Sequence, residues 1–183
     1  MEKKIIVIGA VSKNGAYGMD GKMPWSIKED MEHFQSETDG STVIMGRATW
    51  DSLPAKWRPL KNRENFILSN NICFEPPPGT SRFSSFYQAV EAAPTEKVFA
   101  IGGRQVWIPA LQFCDEAIIT EVDLDVSQDG AMVSFIPEFV DLEVRFPKLE
   151  QRSVIRKSCT NRLTGYEVNV AWKRYVRFQK PLV

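Results

Sequence analysis

The chain has 183 residues, enough for one domain with a sizeable core. It carries 23 Lys and Arg against 23 Asp and Glu, and this balance excludes a broad nucleic-acid or membrane-binding surface, while leaving room for a local basic pocket. Its three cysteines, Cys73, Cys114 and Cys159, are odd in number, widely spaced and free of any Cys-x-x-Cys, which argues against a disulfide framework or a zinc site and for free thiols in a reducing cytoplasm.

Residues 5–11 are apolar and β-branched and predict a central strand covered on both faces. Lys3 and Lys4 precede this run, but no clean cleavage site follows, so it is read as a strand rather than a signal segment. No stretch approaches the ~20 apolar residues of a membrane span. A glycine-rich loop through Gly15, Gly18 and Gly21 ends at Pro24 and Trp25. Ser26 is a candidate cap for a helix over 27–37, with Glu29 placed as in a capping box. Residues 42–45 predict a second strand, 47–53 a short helix closed by Pro54, and 65–69 a third strand. Pro76 to Gly79 is a surface loop. Residues 85–93 predict a helix capped by Ser85, 98–101 a fourth buried strand, 105–113 a helix despite Pro109, and 117–122 another strand. Beyond Pro137 no helix is expected. Residues 144–156 and 166–177 predict two long strands joined by a turn over 161–165. The expected fold is α/β: one domain over 1–183, with a mostly parallel central sheet, an antiparallel C-terminal edge hairpin, and helices on both faces.

Three features carry candidate chemistry. Asp30 follows Ile27 by three positions and precedes Met31 and Phe34, so it stands beside the apolar stripe of its helix. A carboxylate sheltered there can accept paired hydrogen bonds from a planar donor such as a 2-amino-pyrimidine edge. Gly46-Arg47-Ala48-Thr49 and Gly102-Gly103-Arg104 each place glycine between a strand and a helix start, a device for holding phosphate. Each alone is more often just a turn, but two of them suit the two ends of a dinucleotide. The Gly-x-Gly-x-x-Gly fingerprint is missing, so a Rossmann domain is not supported. Arg63, by composition alone, belongs to a solvated basic loop. His33 is the only histidine, which argues against a histidine-dependent mechanism. Nucleophile-elbow, Walker A and zinc-protease motifs are absent, and no metal site is expected. The five tryptophans, Trp25, Trp50, Trp57, Trp107 and Trp172, read by default as core or rim aromatics.

The combination resembles the dihydrofolate reductase family. The resemblance is carried by Gly18-Met19-Asp20-Gly21-Lys22-Met23-Pro24-Trp25 with Asp30 and Phe34, then by residues 43–53, Asn62-Arg63-Glu64-Asn65, Ile67-Leu68-Ser69, Ile101-Gly102-Gly103 and Thr120, in order over about residues 4–175. It implies NADPH-dependent reduction of 7,8-dihydrofolate by hydride transfer to pterin C6 and protonation at N5. Asp30 would bind the pterin amino group and ring nitrogen and promote proton delivery, supported by a hydrogen bond from Thr120. A water ordered near Trp25 and Met23 would be the proton donor. Ile8, Gly9, Ala10 and Ile101 would line the pterin and nicotinamide pocket, with Met31 on the substrate side. Phe34, Leu53 and Leu60 would pack the benzoyl ring, and Arg63 would pair with the glutamate α-carboxylate, against the bland reading of that arginine. The cofactor would meet Gly18 and Met19 in the mobile lid loop over 14–23, and Gly46, Arg47, Ala48 and Thr49, with Arg47 nearest the 2′-phosphate. It would also meet Leu68, Ser69 and Asn70, and Gly102, Gly103, Arg104, Gln105, Val106 and Trp107.

Some positions depart from the family pattern. Ala48 stands where a basic or larger residue is common, Trp107 where tyrosine is frequent, and the turn at Asp129-Gly130 runs into Ala131-Met132-Val133-Ser134-Phe135 instead of a threonine-containing link. The expected partners are dihydrofolate and antifolate inhibitors, without nucleic acid or membrane, for a cytoplasmic monomer. The competing readings are a pyrimidine reductase of riboflavin synthesis, which lacks the helix carboxylate after Met-Pro-Trp, and a non-catalytic folate- or dinucleotide-binding structural protein.

Overall fold

The computed structural model describes residues 2–178. In chain order the elements are β1 (Lys4–Ser12), β2 (Ala16–Met19), α1 (Lys28–Thr38), β3 (Thr42–Gly46), α2 (Arg47–Ser52), β4 (Glu64–Leu68), β5 (Thr80–Phe83) and α3 (Phe86–Ala92). There follow β6 (Lys97–Gly102), α4 (Arg104–Leu111), β7 (Glu116–Val122), β8 (Val133–Phe135), α5 (Leu142–Arg145), β9 (Leu149–Thr160) and β10 (Glu167–Arg177). Eight strands form a sheet in the order β5-β4-β3-β6-β1-β7-β10-β9, and β2 pairs with β8 in a second sheet. By internal contacts the chain forms two compact units: the chain up to Ile8 with His33–Cys114, and Gly9–Glu32 with the chain from Asp115 onward.

The first unit holds the parallel pairs β5–β4, β4–β3, β3–β6 and β6–β1. Its central strands are nearly continuous apolar runs, as a sheet covered on both faces requires. Val43, Ile44, Met45, Ile67, Val98 and Ala100 are fully buried. Burial of each larger side chain among them stabilises by about 1.5–3 kcal/mol. Ser85 caps α3, its hydroxyl accepting from the Gln88 amide. Pro109 sits inside α4, a helix of only eight residues, and the helix closes two residues later.

In the second unit β10 pairs antiparallel with both β7 and β9. β9 lies at the sheet edge and is exposed along most of its length, so the ladder to β10 rather than a buried face sets its course. The turn between them is built on Asn161. Its side-chain oxygen accepts from the Leu163 and Ser26 amides at 3.1 and 3.2 Å, and its carbonyl accepts from Gly165 at 2.7 Å. Gly165 has φ +77°, which favours glycine there.

Several boundaries differ from the sequence reading. Val144 does not begin a strand; it lies in α5 with its side chain in solvent, and β9 starts at Leu149. Phe139 and Leu142 lie three residues apart and are both about 1% exposed, so a helical period governs this stretch after Pro137, where no helix was expected. The short strands β2, β5 and β8 escape notice because three or four residues carry too little alternation. Helix α1 starts at Lys28, leaving Ile27 at the boundary; Ser26 instead donates to Asn161 and accepts from the Arg162 amide through its backbone.

Candidate active site

The acid lies in the second unit. Asp30 occupies the first turn of α1 and is 7% exposed. The Trp172 indole N–H donates to its Oδ1 at 3.3 Å. Thr120 is buried and stands directly opposite Trp172 in the β7–β10 ladder, so the two side chains share a face of the sheet. Trp25 is 2% exposed and packs with Ile27, Val122, Val126, Cys159 and Val170, with half-buried Trp172 against the same cluster. Its indole N–H is buried and finds no hydrogen-bond partner among the described residues. Such a donor costs free energy unless a water or ligand oxygen satisfies it. The Cys159 thiol reports the local field: burial pushes it up, and the charges of Glu29, Glu167 and Asp30 add to this against Lys157. Glu29 is held below its ordinary range by a backbone hydrogen bond and by Lys157, whose Nζ lies 3.2 Å away.

The loop over 14–23 makes backbone and side-chain hydrogen bonds to residues 132–136. Met19 pairs with Val133 and Gly18 with Ser134, and the Ile136 amide donates to the Gly15 carbonyl at 2.7 Å. Asp20 donates from its backbone to Met132 and accepts the Met132 amide on Oδ1, both at 2.9 Å. Met23 stands 41% exposed. Gly9 and Ala10, in the second half of β1, are half-buried between the fully buried Val7 and Val11.

The glycine steps lie together in the first unit. β3, β4 and β6 run parallel, so Gly46, Leu68 and Gly102 end side by side: Gly46 registers with Leu68 and Met45 with Gly102. A crevice outside the carboxyl ends of such strands is where open α/β sheets bind ligands. A Cβ on Gly46 would lie 3.5 Å from Val106 and 3.9 Å from the Gly102 carbonyl and the Gly103 amide, so these backbones approach closely. No side chain caps the start of α4 at Gly103. Trp107 is buried beneath, its N–H shared between the Ile8 and Ala100 carbonyls at 3.0 and 3.1 Å. A Cβ on Gly102 would fall 2.8 Å from the Trp107 ring. At the rim, the Arg47 guanidinium stacks 4.4 Å over Phe74 and donates through Nε to Asp51 at 2.7 Å. Ala48 and Asn70 are exposed, and Thr49 and Ser69 half-buried. A close-backbone cradle beside an oriented guanidinium fits a phosphate-bearing dinucleotide.

Arg63 belongs to the same unit. Its Nε donates to the Lys61 carbonyl at 2.8 Å and its Nη1 to the Thr38 hydroxyl at 2.9 Å; that hydroxyl in turn donates to the Phe34 carbonyl. Burial lowers the Arg63 pKa, against the Asp39 charge, and the group stays cationic. Asn65 anchors the preceding loop, accepting from the Leu60 amide and donating to the Leu60 and Arg63 carbonyls. Leu60 is thereby buried, while Leu53 and Phe34 are half-buried.

A profile described as dihydrofolate reductase matches residues 4–166. The chain belongs to the dihydrofolate reductase family. It is 39% identical over 124 residues to the dihydrofolate reductase of Mycobacterium tuberculosis (strain ATCC 25618 / H37Rv), covering 68% of this chain and 74% of that one. It is 34% identical over 164 residues to that of Neisseria gonorrhoeae, covering 89% and 97%. The Mycobacterium leprae (strain TN) protein is 42% identical over 118 residues, covering 64% and 71%. Family membership makes dihydrofolate reduction the reaction class and a nicotinamide dinucleotide the reductant. Among the described residues no helix is long and apolar enough to cross a membrane.

Sequence reasoning missed the contacts that hold the site. Trp172 was read as a packing aromatic, yet it donates to Asp30; no local motif links positions 142 residues apart. Thr38 and Asn65, which hold Arg63 and its loop, likewise carry no signal outside the fold.

Proposed function

We propose that this chain reduces 7,8-dihydrofolate to 5,6,7,8-tetrahydrofolate with NADPH. The carrying observation is Asp30: a carboxylate 7% exposed, on the first turn of a helix, in the same unit as the buried Trp25 indole N–H, which has no hydrogen-bond partner among the described residues. A buried carboxylate is costly unless hydrogen-bonded donors meet it. The 2-amino group and adjacent ring nitrogen of a pterin supply such donors in one plane.

NADPH, when bound, supplies the hydride for pterin C6. The chain's own residues do the rest. Asp30 grips the pterin edge and favours the protonated ring, with Thr120 in support. The Trp25 N–H anchors an oxygen, in this reading the water that passes a proton toward N5, with Met23 at its outer side. Gly46, Gly102 and Gly103 let backbone approach the dinucleotide, and Arg47 meets the 2′-phosphate. Arg63, kept charged and aimed by Thr38 and Lys61, takes the glutamate α-carboxylate. Antifolates that present the same amino-pyrimidine edge compete for Asp30.

NADPH oxidation, followed at its absorbance band with and without dihydrofolate, tests the reading directly; a protein that binds both and leaves the absorbance unchanged is not a reductase. Asp30→Asn removes the charge at constant shape. Turnover at neutral pH falls by about 10²-fold or more, in the range of general acid–base contributions, and recovers partly in acid, where substrate arrives protonated. An unchanged rate with a flat pH profile refutes this role for Asp30.

A further inference from the structure

We infer that Trp172 is a positioning residue for the proposed reaction, its indole N–H orienting the Asp30 carboxylate and setting how strongly that carboxylate holds a proton. The inference rests on the reductase reading but concerns a residue that no motif marks. Trp172 lies on β10, half-buried against the Trp25–Ile27 cluster, and its register opposite Thr120 fixes the ring on the face where that cluster packs. From there Nε1 reaches Asp30 Oδ1 at 3.3 Å. An N–H donated to a carboxylate favours the ionised form and points the other oxygen and its lone pairs in a defined direction. An indole also suits this place because it is a donor that never carries charge and cannot neutralise the acid. The Trp172 donor ties the direction of that carboxylate to β10 as well as to its own helix.

The ionisable neighbours leave a clear readout. Glu29, beside Asp30 on α1, is paired with Lys157 of β9; Cys159 of β9 feels the charges of Glu29 and Asp30; His33 follows three residues on along α1. None of them changes in Trp172→Phe, which keeps a ring on the cluster and removes only the donor and part of the ring area. Loss of the donor makes the carboxylate more basic. Whether the titrating proton resides on Asp30 or on pterin N5, the active protonated complex then persists to higher pH.

The test compares wild type and Trp172→Phe across pH 5–9. NADPH oxidation with dihydrofolate by the wild type establishes the reaction itself, and its absence would defeat the reductase reading without touching Trp172. Given that activity, the midpoint of the kcat profile moves upward by about half to one pH unit in Trp172→Phe. In the protein without cofactor, the pH midpoint for binding a 2,4-diaminopyrimidine, read by the ligand's ultraviolet difference spectrum, moves the same way. Midpoints coinciding with wild type overturn the proposal. A second measurement does not depend on the variant's folding well. The Trp172 indole N–H signal in the proton–nitrogen correlation spectrum, assigned by its loss in Trp172→Phe or by sequential assignment, moves with pH in wild type and loses that dependence in Asp30→Asn. A signal indifferent to pH in wild type also overturns it.

Discussion

Replacing Gly102 by alanine isolates the tightest contact at the carboxyl edge of the parallel strands. Its φ is +125°, where a side chain is strained by about 1–3 kcal/mol. The added Cβ would sit 2.8 Å from Cζ2 of Trp107 and 3.2 Å from Cη2. That ring is no flexible tail: its N–H is fastened to the Ile8 and Ala100 carbonyls. Overpacking against it adds about 1–3 kcal/mol. The sum is about 2–6 kcal/mol, and for a chain of this length each kcal/mol lowers Tm by about 2–4 °C. Calorimetry should thus show Gly102→Ala melting about 4–24 °C below wild type. Gly130→Ala is the control, since Gly130 has φ +71° and open space at its Cβ position. It carries backbone strain alone, about 1–2 kcal/mol. Trp107→Phe removes the indole atoms that the new methyl strikes, so Gly102→Ala should cost less in that background, a coupling readable in a double-mutant cycle. Equal losses in Gly102→Ala and Gly130→Ala, with no coupling to Trp107, would refute the contact as the cause.

Arg47→Ala should weaken NADPH by a charge-assisted hydrogen bond, about 1.5–3 kcal/mol or roughly 10- to 100-fold, and barely affect NADH in equilibrium titrations; equal loss for both cofactors excludes the 2′-phosphate contact. Arg63→Ala should raise KM for dihydrofolate by a similar roughly 10- to 100-fold and leave dihydropteroate, which lacks the glutamate, nearly unchanged. Thr38→Val, which takes away the hydroxyl that aims Arg63, should show the same pattern in weaker form. Tyr175 is buried, and that burial, with Glu143 and Glu121 nearby, pushes its pKa up to about 12. The phenol is neutral in both states below pH 10, so its contribution is intact there. As pH rises from 10 to 12 the unfolded chain ionises first and stability falls, by up to about 2–3 kcal/mol. Urea unfolding of wild type and Tyr175→Phe at pH 8 and 11 checks this; parallel losses in both proteins assign the alkaline weakening elsewhere.

Much of the fold is legible in residue patterns because its strongest signals are local. The β-branched run at 5–11, the glycines that close the runs at 42–45 and 98–101, and the capping serine at 85 each act through their own neighbours, and β1, β3, β6 and α3 appear where those signals place them. The chemical types of the site are equally visible: an acid beside an apolar stripe, two glycine steps, an arginine in a loop. β2, β5 and β8 are not legible, because strands of three or four residues are made by their partners rather than by their own alternation. The stretch after Pro137 misleads because Phe139, Leu142 and Val144 fit two periods, and burial of the first two alone selects the helical one.

By itself the order of residues determined the strand and helix periodicity, the family and the candidate acid, Asp30. Tertiary structure alone decided what holds those groups still: Trp172 on Asp30, Thr38 on Arg63, and Trp107 beneath Gly102. The reason is range. Propensity and periodicity act within a few residues, whereas a hydrogen bond between side chains 142 positions apart exists only once the sheet has brought their strands and helices together.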